Sequence, residues 1–88
     1  MKILKITSMW CPSCIIMNPI IDEIITEYNL IVENIDYDLD EEKRLSFNIG
    51  KILPVMIFLN EANEELFRII GEKSKKDIVN KIKEVQVK

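Results

Sequence analysis

KILKITSMWCPSC, residues 2–14, changes character halfway along. Lys2–Thr7 is a short run rich in β-branched and apolar residues, the pattern of a central strand buried on both faces. Ser8 to Trp10 read as a loop. From Pro12 onward the spacing is helical: Ile16, Ile20, Ile24 and Tyr28 recur every fourth residue, and Ile21 and Ile25 widen the stripe. Pro12 suits the first turn of such a helix, where its missing N–H costs nothing. Pro19 falls inside it and predicts a kink, and Asn29 is a natural stop. Cys11 and Cys14 therefore stand where a strand hands over to a helix.

That placement carries more chemistry than the two-residue spacing alone. A thiolate at a helix N-terminus is favoured by unpaired backbone N–H groups and by the helix dipole, a setting that draws cysteine pKa values from about 8.5 toward neutrality. Two residues within one helical turn bring the second sulfur round to the first. Cys11, nearer the exposed end, is expected to attack a substrate disulfide, and Cys14 to resolve the mixed disulfide from one turn inward. Competing uses of the pair are weaker. A tetrahedral zinc site wants four ligands, and the chain has two Cys and no His. Completing that shell would take carboxylates or a second copy. No metal and no cofactor are expected, and a C-x-x-C beside a strand–helix–strand pattern reads as redox-active.

Downstream, residues 31–36 form a second strand. Asp38 or Asp40 can cap a helix running to about Phe47, with Glu41 and Glu42 favourable in its first turn. Residues 55–59 are a continuous apolar run, again a buried strand, and Asn60 to Glu64 make a polar turn into a fourth strand at 65–70. Gly71 ends that strand. Ser74 is a good N-cap with Asp77 three residues on, and Ile78, Ile82 and Val85 mark a last amphipathic helix. The order is β-α-β-α-β-β-α. A strand–helix–strand unit crosses over right-handedly into a parallel pair, and the short polar turn demands an antiparallel hairpin. The expected fold is α/β: a four-stranded mixed sheet with helices on both faces.

Composition narrows the function classes. At 88 residues the chain, 1–88, is one domain with a minimal core. With 12 basic and 15 acidic residues the net charge is −3, which gives no support for a nucleic-acid partner. The lysines at 73, 75, 76, 81 and 83 alternate with acids and read as a solvated helix face. No stretch is apolar enough to span a bilayer, and the N-terminus lacks the long apolar segment of a signal peptide. A cytoplasmic location is expected, where a structural disulfide would be unusual.

Several spaced segments together resemble the thioredoxin family. Trp10-Cys11-Pro12-Ser13-Cys14, then Pro19 and Ile20 to Ile24, is similar to the family's W-C-x-x-C segment and kinked first helix. Asn34-Ile35-Asp36 resembles its second strand. Ile52-Leu53-Pro54-Val55 resembles the segment with its cis-proline, followed by a hairpin at Phe58 to Glu64 and the glycine at Gly71. The resemblance implies a thioredoxin fold. It also implies Cys11 and Cys14 as the catalytic pair, and Trp10, Leu53 and Pro54 as substrate-binding residues, with Pro54 cis and facing the sulfurs. Met9, Ile15 and Leu53 either join Trp10 in an apolar rim suited to protein substrates or turn inward. The implied function is a monomeric reductase of protein disulfides, recharged by a flavin-dependent reductase.

The departures matter. Lys5 stands where the family carries a buried Asp, Ile15 replaces a frequent lysine, and Pro-Ser separates the cysteines, closer to the C-P-x-C of glutaredoxins. The segment before Pro54 is about one residue longer than usual. A glutathione-dependent, glutaredoxin-like protein is the alternative. Ser13 in place of the usual Tyr, Leu53-Pro54 in place of T-V-P, and the missing Gly-Gly-x-Asp segment near Gly71 weigh against it. A redox-silent binding module is a third reading. With Ser13 rather than His between the cysteines, a reducing couple near about −270 mV is expected rather than the roughly −120 mV of a strong oxidant. A charge at Lys5 close to the sulfurs would raise it.

Overall fold

The computed structural model describes residues 1–86. Seven elements follow in the expected order: β1 (Lys2–Thr7), α1 (Pro12–Tyr28), β2 (Ile31–Asp36), α2 (Glu41–Ser46), β3 (Val55–Leu59), β4 (Glu65–Ile70) and α3 (Lys75–Gln86). One four-stranded sheet has the order β2-β1-β3-β4. β1 runs parallel to β2, from Lys2 opposite Ile31 to Thr7 opposite Asp36, and antiparallel to β3. β3 and β4 form the antiparallel hairpin. Its turn is organised by Asn60, whose Oδ1 accepts from the backbone N–H groups of Ala62 and Glu64, both at 2.9 Å.

Strand alternation divides the core between the two sheet faces. Ile3, Met56 and Phe58 point to one side, where Met17, Ile21 and Ile24 of α1 and Ile78 and Ile82 of α3 cover them. Leu4, Ile6, Val55, Ile57 and Leu59 point to the other, with Tyr37, Phe47 and Ile49 from the segment that carries α2 packed against them. Every residue of β3 is buried, which is why that strand reads as an unbroken apolar run. At about 1.5–3 kcal/mol for each fully buried aliphatic or aromatic side chain, these two layers supply the main driving force for folding.

Two local expectations are corrected. The buried face of α1 is Cys14, Met17, Ile21 and Ile24, whereas Ile16 is exposed. The run of isoleucines hid this, because either side of the helix offers an apolar row and only the sheet decides which is used. The helix continues through Pro19, which lies on its exposed side. At α2 the N-cap residue is Asp40, yet its carboxylate makes no cap bond. Instead Asp40 Oδ2 accepts from the backbone N–H of Asp36, and Asp36 Oδ1 accepts from those of Asp38 and Leu39. The other termini behave as expected. Asn29 closes α1 in the left-handed region at φ 52°, and Ser74 Oγ accepts from the N–H of Asp77.

Candidate active site

Cys11 is the N-cap residue of α1, with extended backbone, and its Sγ accepts from the N–H of Cys14 at 3.2 Å. A hydrogen bond donated to sulfur at the positive end of a helix favours negative charge on that atom. Both cysteines are free thiols. Both are also buried, Cys11 at 5% and Cys14 at 2% exposure, so the first sulfur is less open than its place at the helix start suggests. They belong to the same core cluster as Leu53 and Val55, the residues on either side of Pro54.

Cys14 holds its proton strongly. Burial pushes its thiol up to about 11, and the hydrogen bond with Cys11 adds to the effect. The backbone of Ser8 and the positive charge of Lys5 pull the other way. Lys5 therefore acts electrostatically on the Cys14 thiol, from the position where an acidic group was missing in the sequence.

Trp10 is half-exposed and held on its outer side. Its Nε1 donates to Asp38 Oδ2 at 2.9 Å, and its ring meets Tyr37 edge-on at 5.8 Å. Arg44 in turn lies over the Tyr37 ring at 4.5 Å. The Asp36 turn thus sets Asp38 against Trp10. Met9, the residue before it, is exposed, as are Ile15 and Ile52. Leu53, by contrast, is turned into the core with Val55, so it does not join an apolar rim.

The Leu53–Pro54 peptide bond is cis, and Pro54 is buried. Pro54 O accepts from the N–H of Gly71 at 2.8 Å. Gly71 has φ 78°, and a Cβ there would come within 3.1 Å of Ile52 Cγ2, so glycine suits both the backbone and the space. From the residue after it, Glu72 Oε2 accepts from Ser13 Oγ at 2.8 Å. Neither Asp38 nor Glu72 was legible as a site residue, because each meets its partner across a distance in sequence, 28 and 59 residues, that no local pattern reports. Among the described residues no group of His, Cys, Asp and Glu could hold a metal ion.

Comparison with known proteins agrees with this architecture. A family model, Thioredoxin, matches residues 1–84. The thioredoxins of Mycobacterium tuberculosis and Mycobacterium bovis are 28% identical over 78 residues, covering 86% of this chain and 66% of theirs. The chain thus spans just under two thirds of the length of these curated relatives. Among solved structures, thioredoxin 1 of the thermophile Thermosipho africanus superposes with a TM-score of 0.86 over 100% of both chains at 24% identity. A malaria-parasite thioredoxin-2 gives 0.83 at 25% identity, over 94% of this chain and 81% of that one. With its C-x-x-C at the strand–helix junction, its sheet order and a family match over residues 1–84, this chain belongs to the thioredoxin family.

Proposed function

We infer that the protein reduces protein disulfides by dithiol exchange. The observation that carries this is the Cys14 N–H directed at Cys11 Sγ, at the start of α1, with both thiols free. The Cys11 thiolate attacks one sulfur of the substrate disulfide, and the other substrate sulfur leaves and takes up a proton. Cys14 then gives up its proton and attacks Cys11 Sγ, which releases the second substrate thiol and leaves a Cys11–Cys14 disulfide. Two electrons pass to the substrate, and a donor, read here as a flavin-dependent reductase, returns them.

Trp10, Leu53 and Pro54 are the substrate-binding residues in this reading. Trp10 presents an exposed ring next to the nucleophile. Leu53 lies before the start of β3, outside the ladder of the sheet, so its contribution is its backbone rather than its buried side chain. An extended substrate chain can hydrogen-bond there in the manner of an added strand. Pro54 closes the same segment against the sulfurs. The protein works as a monomer in a reducing cytoplasm. No helix among the described residues is long and apolar enough to cross a membrane.

Trapping tests the reading. Cys14→Ser incubated with oxidised insulin gives a covalent adduct through Cys11, detected by mass, and Cys11→Ser gives none. Absence of the adduct together with absence of insulin reduction by the unaltered protein overturns it.

A further inference from the structure

Met9, Trp10 and Ile15, the large apolar residues that flank the Cys11–Cys14 turn in sequence, are exposed, and Ser13 within that turn is bonded to a carboxylate, that of Glu72. Glu72 is held from two directions. Its backbone follows Gly71, whose N–H is bonded to Pro54 O at 2.8 Å, and its Oε2 accepts from Ser13 Oγ at 2.8 Å. The group thus links the turn between the two cysteines to the segment that carries Leu53 and Pro54. Its other oxygen makes no hydrogen bond to protein among the described residues.

Among the described residues no lysine or arginine forms an ion pair with Glu72. A second carboxylate, Asp38, accepts from Nε1 of Trp10, the residue before Cys11, at 2.9 Å. A substrate chain that brings its disulfide to Cys11 therefore meets two carboxylates, each bonded to a residue next to or between the cysteines.

The geometry points to Glu72 as a specificity-determining residue that selects protein disulfides flanked by Lys or Arg, with Ser13 as the residue that positions it. This rests on the disulfide-reductase reading. A carboxylate tied in place holds its charge beside the path of the substrate without first losing rotamer freedom. Complementary charge favours the correct partner, and like charge rejects the wrong one. Screening by salt must weaken the preference, because the site is open to solvent.

Two synthetic peptides provide the test, each with one intramolecular disulfide, identical except for Lys or Glu on both sides of the cysteines. Fully reduced protein is mixed with each, and the reaction is acid-quenched and counted by mass. At low salt the Lys peptide reacts about fivefold faster, equivalent to about 1 kcal/mol. The ratio falls toward one in high salt and in Glu72→Gln, inverts in Glu72→Lys, and is reduced in Ser13→Ala. Equal rates in the unaltered protein overturn the inference, as does a Lys preference that survives Glu72→Gln. Failure to reduce either peptide overturns the reductase reading itself.

Discussion

Cys14 donates its backbone N–H to the sulfur of Cys11 at 3.2 Å while its own sulfur is sealed beneath the helix start. One residue thus stabilises charge on its partner and keeps a proton itself. The asymmetry predicts ordered chemistry: at pH 7.5, iodoacetamide alkylates Cys11 faster than Cys14, by about tenfold or more, since the thiolate is the reactive form. Peptide mapping by mass after brief labelling reads the ratio directly. Comparable labelling of both would show that the two thiols are not differentiated.

The raised titration of Cys14 gives stability a pH dependence of definite sign. Its thiol is pushed from about 9.0 up to about 11 by burial and by Cys11, so between those values the folded chain binds more protons than the unfolded one. The contribution is fully present below pH 9 and is lost as pH rises through 11. The loss is on the order of 3 kcal/mol. Urea unfolding of the reduced protein at pH 8 and pH 11 should show this loss, and the loss should shrink in Cys14→Ser. An unchanged difference in that variant would assign the alkaline loss to other groups.

Lys5 works against the burial of Cys14, because its charge lowers the same thiol. Replacing it with Met removes that help. The Lys5→Met variant should hold the Cys14 proton more tightly and resolve mixed disulfides several-fold more slowly at neutral pH. Release of the second substrate thiol from a preformed mixed disulfide, followed by acid quenching and mass, measures the rate. An unchanged or faster resolution would place the influence of Lys5 elsewhere.

How much of this was legible in the sequence differs by scale. The element order and nearly every boundary follow from periodicity and punctuation: Val55–Leu59 is apolar because β3 is covered on both faces, and Asn29, Gly71 and Ser74 end or begin elements for local reasons. The cysteine pair is local too, set by one helical turn. What required the folded chain is the pairing of distant polar groups. Asp38 reads as a helix cap until Asp36 and Asp40 are seen to build the turn that frees it for Trp10. Glu72 reads as one more surface acid until β4 brings it back to Ser13. The choice between Ile16 and Ile21 on α1, and between Ile52 and Leu53 beside Pro54, is likewise made by the sheet and not by the segment.

Phe58 is fully buried near the end of β3, and its ring stacks on Phe67 of β4 with centroids 4.3 Å apart. Truncation there removes a large apolar surface and leaves a cavity that two strands cannot close. Phe58→Ala should cost about 3–5 kcal/mol, a large share of the total for a domain this small. Chemical denaturation measures it, and Phe58→Leu, which keeps most of the volume, should lose much less. Equal losses would mean that the stacked ring, rather than filled volume, holds the hairpin.

Trp10 faces solvent on the rim, yet it is restrained by Asp38 through one hydrogen bond and by Tyr37 through an edge-on contact. Exposed hydrogen bonds contribute little to folding, about 1 kcal/mol or less, so the restraint bears mainly on where the ring lies when a substrate arrives. Asp38→Ala should therefore leave the denaturation midpoint nearly unchanged while lowering kcat/KM for insulin reduction by about threefold, mainly through KM, because a mobile ring must be ordered on binding. Asp38→Asn, which keeps an acceptor for Nε1, should recover most of the rate. The fluorescence anisotropy decay of Trp10, the only tryptophan, should show faster ring motion in Asp38→Ala and not in Asp38→Asn. If both variants lose activity equally while the ring stays ordered, the charge of Asp38, and not its hold on Trp10, is what matters.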